Sequence, residues 1–245
     1  TPASTYYDAG FVDLEDRTIS NFDGRGRGTV SMQEVLNQSL NTGVAHIAEL
    51  LGKERMRKYF YGLKLGSETG IDLPNEGYGL VKNLESPRKV EYATASFGQG
   101  IALTPNGAVR ALSTLANGGV LMTPHLAREV LYDNGEVREV GFGKGDRVFT
   151  EETSETITRM LVKVVDTALR HGTLKKEHYS IAAKTGTAQI ADNTGGGYYE
   201  DKFLHSFFGY FPAYEPRFLI FLYTVEPKGV QYASETLTDP FMELT

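Results

Sequence analysis

Ile181-Ala182-Ala183-Lys184-Thr185-Gly186-Thr187-Ala188-Gln189 is the stretch on which the reading of this chain turns. Small and β-prone residues flank a single lysine, and a glycine follows two places later. A strand alternates its side chains, so Lys184 and Gly186 share one face and Thr185 and Thr187 the other. Glycine within a strand removes a side chain and lets another group approach the backbone closely. A lysine beside that gap supplies a fixed positive charge for an anionic substrate or for a shared proton. An ordinary edge strand with a solvated lysine has the same pattern, and the tripeptide alone does not separate the two.

Downstream, Phe203 to Pro212 and Arg217 to Val225 read as two further strands, so Tyr179 to Ile190 opens a three-stranded run. The apolar stretch Phe218-Leu219-Ile220-Phe221-Leu222-Tyr223 has the length and aromatic content of a buried strand. Upstream the character is helical. Ser31-Met32-Gln33-Glu34 is a capping box, in which serine and glutamate each satisfy a free backbone N–H. That helix falters at Ser39-Leu40-Asn41, and a second carries Val44, Ile47, Ala48 and Leu51 on one face until Gly52. Lys53 to Tyr61 reads as a short helix and Thr69 to Lys82 as irregular. Thr104-Pro105 starts another helix, which stops at Asn117-Gly118-Gly119. Leu126 to Val140 reads as a hairpin turning at Asp133-Asn134-Gly135. Thr150 to Arg170 reads as one long amphipathic helix, with Ile157, Met160, Leu161, Val164 and Val165 inward. Thr1 to Asp23 is polar and turn-rich. Helices first and antiparallel strands last make an α+β pattern.

Composition removes several classes of function. The 245 residues contain no cysteine, so disulfides, zinc–thiolate sites, iron–sulfur clusters and thiol nucleophiles are excluded. A net charge of −6 argues against a nucleic-acid partner. His46, His125, His171, His178 and His205 show no metal-ligand spacing, and neither a metal nor any other cofactor is expected. Gly195-Gly196-Gly197 has no helix start behind it, which a phosphate-binding loop requires. No apolar run is long enough to span a membrane. The chain opens at Thr1-Pro2 and ends at Phe241-Met242-Glu243-Leu244-Thr245, where a last helix is just beginning. It reads as a piece of a larger protein.

Ser39-Leu40-Asn41 is the second candidate for chemistry, and the chain's one Ser-x-Asn. Helix capping explains such a tripeptide equally well, because Ser and Asn bond readily to nearby backbone. Its company raises it: a helix break bearing Ser-x-Asn is followed much later by a strand bearing Lys-Thr-Gly. Ser-x-x-Lys, Ser-Asp-Asn or its relatives, and Lys-Thr-Gly together mark active-site-serine penicillin-recognising enzymes. The chain most resembles the transpeptidase domain of monofunctional, class B penicillin-binding proteins. Arg17-Thr18-Ile19-Ser20-Asn21 with Gly24 to Gly28, and Met32 through Gly43, are similar to that family around its second motif. Ser96-Phe97-Gly98-Gln99-Gly100, Leu103-Thr104-Pro105, Leu115-Ala116-Asn117-Gly118-Gly119 and Ser206-Phe207-Phe208-Gly209-Tyr210-Phe211-Pro212 resemble its later landmarks. One departure stands out. The family's first motif, Ser-x-x-Lys, precedes Ser-x-Asn, whereas the sole such string here, Ser86-Pro87-Arg88-Lys89, follows it and carries a helix-breaking proline.

The resemblance implies a penicillin-binding transpeptidase or serine β-lactamase-like fold, here without its N-terminal part. A helical subdomain would occupy roughly residues 29–178, sheet strands roughly 179–226, and the start of a final helix roughly 235–245. It implies a peptidoglycan D,D-transpeptidase, in which a serine attacks the penultimate D-alanine carbonyl of a stem peptide. The last D-alanine leaves, and the acyl group passes to a neighbouring stem's amine. Ser39 would relay a proton to the leaving group from Lys184, and Asn41 would orient the substrate amide. Thr185 and Thr187 would bind the terminal carboxylate beside Gly186, and the Thr187 N–H would be one oxyanion donor. Stem peptides, β-lactam antibiotics and other division or elongation proteins are the implied partners, at the extracytoplasmic face of a bacterial membrane. Without the nucleophile's motif, the chain alone is expected to be inert. Two further readings share the motifs: a non-catalytic scaffold, and a serine β-lactamase or β-lactam sensor.

Overall fold

A computed structural model describes residues 1–141, 143–192 and 194–245. The amino end, read as turns, instead holds four short strands: β1 (Thr5–Asp8), β2 (Phe11–Leu14), β3 (Arg17–Ser20) and β4 (Gly28–Ser31). β1 pairs with β4 and β2 with β3, both antiparallel. Strands of four residues with mixed polarity leave almost no period for a sequence to show. β4 runs directly into α1 (Met32–Gln38). Ser31 caps it through Oγ, accepting from Glu34 N at 3.3 Å. The reciprocal half of the capping box is absent: the Glu34 carboxylate accepts from the Asn37 and Gln38 side-chain amides instead. The next two amides, of Met32 and Gln33, donate to the Ser4 and Pro2 carbonyls and tie the start of α1 to the amino end.

α2 (Asn41–Leu51) and α3 (Lys53–Gly62) follow, separated by Gly52 at φ 74°. A short 3₁₀ turn at Lys82–Glu85 leads to α4 (Lys89–Ala95), which the sequence reading missed. α2 and α4 bury Ala45, Val90 and Ala93 against Ile19 of β3. α5 (Pro105–Ala116) starts with Thr104 Oγ1 accepting from Gly107 N, as the Thr-Pro signal predicts. β5 (Val120–Leu121) pairs with β8 (Asp146–Arg147), and β6 (Glu129–Leu131) with β7 (Val137–Glu139) across the expected turn.

α6 (Glu151–Lys163) is shorter than the sequence predicts. Beyond it the chain makes a π turn at Val164–Ala168, then leaves the helix with Arg170 and His171 at φ 46° and 56°. The main sheet then forms from β9 (Ala182–Ala191), β10 (Tyr198–Phe211) and β11 (Phe218–Val225), all antiparallel and in the order β11-β10-β9. The glycine-rich join is thus the tip of the β9–β10 hairpin, with Ala191 opposite Tyr198; Asn193 lies outside the described residues. α7 (Ala233–Thr236) and α8 (Thr238–Glu243) close the chain.

The sheet is covered on both faces. On one, Ala182 and Tyr210 meet Leu161 and Val162 of α6. The Tyr210 hydroxyl shares a 2.7 Å hydrogen bond with Thr158 Oγ1, and burial pushes that phenol up to about 12. On the other face, Ala183 and Phe207 meet Phe241 of α8, the two phenyl rings stacked 4.3 Å apart. β11 departs from expectation: an apolar strand paired only with β10, it has no fully buried residue.

Candidate active site

Lys184 and Gly186 belong to the sheet face that looks towards the helices, opposite Phe208 and Ser206 of β10. Thr185 and Thr187 lie on the other face, opposite Phe207 and His205. This is the alternation read from the sequence. β9 is an edge strand, so the Lys184 side chain can reach round its open side. Its ammonium donates to Ser39 Oγ, 145 residues away in sequence, and to Thr185 O at 3.0 Å.

Ser39 meets it from the gap between α1 and α2. It ends α1 in the left-handed region, at φ 54° and ψ 51°, with its N–H still bonded to Val35 O. For a non-glycine residue that conformation is costly, and such strain persists where the surroundings fix it. Leu40, 1% exposed, anchors the gap next to it. The result is a serine hydroxyl projected from an exposed corner onto a lysine.

The lysine's environment matters as much as its position. Lys184 keeps some accessible surface as a residue, but its ammonium is partly desolvated, and its hydrogen-bond partners among the described residues are two neutral oxygens and no carboxylate. That desolvation pushes Lys184 down from 10.5 to about 8. A lysine near neutrality in water-poor surroundings can both give and take a proton.

Asn41, the first residue of α2, donates Nδ2 to Ser20 O at 3.0 Å, the one hydrogen bond of its side chain among the described residues. Its carbonyl oxygen remains as an acceptor. The next residue, Thr42, is held by a buried network that the sequence did not reveal. Asp8, 1% exposed, accepts from Thr42 Oγ1 (2.8 Å), Gly10 N (2.9 Å), Arg27 N (3.0 Å) and Asn21 Nδ2. Asn21 Oδ1 in turn accepts from Thr42 N at 3.3 Å. These donors satisfy a buried carboxylate without an ion pair and lock the start of α2 to the amino-terminal strands. Asp8 ends the four-residue strand β1 and Asn21 follows the equally short β3, so no spacing signals them.

Among the described residues, no side-chain hydrogen bond joins Thr185 or Thr187 to Ser39 or Asn41. Thr187 is exposed, and its Oγ1 accepts from Ala233 N, the first amide of α7, at 3.0 Å. Its own hydroxyl proton is therefore free to be donated outward. Gly186 provides clearance: a Cβ there would stand 2.6 Å from Ser206 Oγ. Ser86 and Lys89 of the sole Ser-x-x-Lys string do not meet either, since Ser86 Oγ accepts from Arg88 N at 3.2 Å and Lys89 pairs with Glu49 at 3.8 Å. Among the described residues, no group of three or more metal-ligating side chains is assembled, and no helix is long and apolar enough to cross a membrane.

An exposed serine at a strained helix break, hydrogen-bonded to a Lys-Thr-Gly lysine on an edge strand, is the geometry that the sequence motifs led one to seek. Residues 1–243 match the family described as penicillin binding protein transpeptidase domain, and the chain belongs to that family. It is 34% identical over 239 residues to stage V sporulation protein D of Bacillus subtilis, covering 97% of this chain and 36% of that protein. It is 31% identical over 217 residues to penicillin-binding protein PbpB of Mycolicibacterium smegmatis, covering 86% of this chain and 34% of the relative. The chain thus spans about a third of the length of these curated relatives. Among solved structures, it is similar to penicillin-binding protein 3 of Mycobacterium tuberculosis complexed with aztreonam, with a TM-score of 0.85 and 26% identity. That match covers 93% of this chain and 52% of the other. Both the α+β class and the transpeptidase fold expected from the sequence hold.

Proposed function

We propose that this chain supplies the Ser-x-Asn and Lys-Thr-Gly sides of a peptidoglycan D,D-transpeptidase site working by an acyl-serine mechanism. The observation that carries the reading is the hydrogen bond between Lys184 Nζ and Ser39 Oγ, which joins the helix break to the edge strand. Together they form a proton relay, in which Ser39 passes a proton to the departing D-alanine nitrogen and recovers one from Lys184. Asn41 Oδ1 orients the substrate amide. The Thr185 and Thr187 hydroxyls take the terminal carboxylate, and Gly186 keeps the strand approachable. Lys184 bonds to Thr185 O from the open edge, so that carbonyl faces away from β10. Successive residues alternate sides, so the Thr187 N–H faces the open edge as well and suits an oxyanion donor.

The 245 residues hold no Ser-x-x-Lys whose serine and lysine meet, so the acylated serine is assigned to a separate segment. Stem peptides ending in D-alanyl-D-alanine are the substrate class, and β-lactams the inhibitors. The aztreonam complex of the similar mycobacterial protein supports the latter. Such chemistry belongs at the extracytoplasmic face of the membrane, in company with division or elongation proteins. A fluorescent penicillin tests both halves. The chain alone stays unlabelled, and stoichiometric covalent labelling of it would overturn the assignment of the serine elsewhere. The product of the whole reading frame is labelled, and Lys184→Ala abolishes that label; an unlabelled full-length product overturns the transpeptidase reading.

A further inference from the structure

His205 lies in the middle of β10 with no exposed surface, directly opposite Thr187 in the β9–β10 register. Neither the relay nor the substrate contacts proposed above use it. Its ring spans two points on the segment after β11: Nε2 to Gln231 O and Nδ1 to Thr236 Oγ1, both at 2.9 Å. A carbonyl can only accept, so Nε2 donates to Gln231 O, while Nδ1 shares the other hydrogen bond with Thr236 Oγ1, which also lies 3.3 Å from Ala233 O. Between these two points lies Ala233, fully buried, whose N–H is the bond held by Thr187 Oγ1. The Tyr232 N–H is separately tied to Glu235 Oε2 at 3.1 Å.

We propose that His205 is a positioning residue for substrate recognition: by clamping Gln231 and Thr236 it holds the Ala233 N–H on Thr187 Oγ1, which fixes the rotamer of that hydroxyl and aims its proton at the substrate carboxylate. A threonine hydroxyl at an exposed strand position otherwise samples its rotamers and accepts or donates indiscriminately. Here one lone pair is already committed to a helix N-terminal amide, an unpaired donor that needs an acceptor. The geometry of that amide is set by the imidazole behind it. Serving a strand on one side and a closing segment on the other, His205 couples the sheet to α7 at the point where the carboxylate is read. This inference rests on the proposed role of Thr187.

The test uses two ligands that differ only at the carboxylate, N-acetyl-D-alanyl-D-alanine and its C-terminal amide, with binding followed by NMR shift titration of the protein. The wild type prefers the acid. His205→Ala, and the volume-conserving Thr236→Val, reduce that acid-over-amide preference about ten-fold while leaving affinity for the amide unchanged. In the same samples the Ala233 amide proton loses protection from exchange, whereas core amides of β10 keep theirs. His205→Gln, which retains a donor towards Gln231 O, recovers part of the preference. A loss of affinity for both ligands alike marks a purely structural role and overturns the inference. So does an unaltered acid preference in both variants. If the wild type binds acid and amide equally, the carboxylate role of Thr187 falls first, and the inference with it.

Discussion

At the scale of single residues, Lys184 makes the clearest statement, because the contact that suits it to proton transfer also works against folding. Its ammonium is desolvated and lowered to about 8, against 10.5 for a free lysine. Between those two values the unfolded chain holds a proton at this site that the folded chain has shed. Stability therefore rises with pH across that window, and at pH 7 the folded state carries the whole cost of burying the charge. One pKa unit corresponds to about 1.4 kcal/mol, so the fall from 10.5 to about 8 corresponds to a net cost on the order of 3 kcal/mol, with the hydrogen bonds to Ser39 and Thr185 already included. Lys184→Met should accordingly be at least as stable as the wild type at pH 7. Urea midpoints taken every half unit from pH 7 to 10.5 should show the two proteins converging. Parallel curves over that range would mean that Lys184 is not desolvated as described. Ser39, held at φ 54°, is a second group for which the arrangement at the site and local stability pull in opposite directions.

At the scale of elements, the sequence disclosed what periodicity and capping can carry. Thr104-Pro105, the break at Ser39–Asn41, Gly52 and the three long strands were all legible, as were Lys184 and Ser39 once the motifs were set side by side. The short amino-terminal strands were not, and with them went Asp8 and Asn21. The end of α6 shows why a correct period still misleads. Leu161, Val165 and Leu169 stay buried through α helix, π turn and 3₁₀ turn alike, since contact with the sheet does not depend on which carbonyl each amide selects. The turn that follows brings Gly172, at φ 76°, so close to the π turn that a Cβ would lie 2.6 Å from Asp166 O. Gly172→Ala meets both a left-handed backbone and an immovable carbonyl, and should cost about 2–3 kcal/mol. Gly135, at φ 86° in the β6–β7 turn with nothing within 4 Å, isolates the backbone term alone, about 1 kcal/mol for the same substitution. Equal losses for the two variants in urea denaturation would remove the carbonyl from the explanation.

At the scale of the whole molecule, the asymmetry of the main sheet has the largest consequence. β9 uses its open edge, round which Lys184 turns to Ser39. β11 presents the opposite edge with no comparable occupant among the described residues. Its sequence is one of the most apolar in the chain, yet Phe218, Tyr223 and Val225 are 63%, 50% and 55% exposed. A long, unpaired, apolar edge offers alternate backbone N–H and C=O groups to any strand that can add to it, with side chains ready to be buried on addition. Ile220 and Leu222 already reach the Phe207–Phe241 cluster from this strand, so an added strand would extend an existing core. The net charge of −6 opposes association only weakly at physiological salt, where repulsion beyond about 8 Å is screened. The isolated chain should therefore associate with rising concentration, visible as a growing mass in size-exclusion chromatography with light scattering. Tyr223→Lys combined with Val225→Lys places two like charges on one face of the edge strand and should hold the protein monomeric, with its melting temperature little changed. A wild type that stays monomeric throughout, or a double variant that associates just as readily, would show that the β11 edge is not what draws copies together.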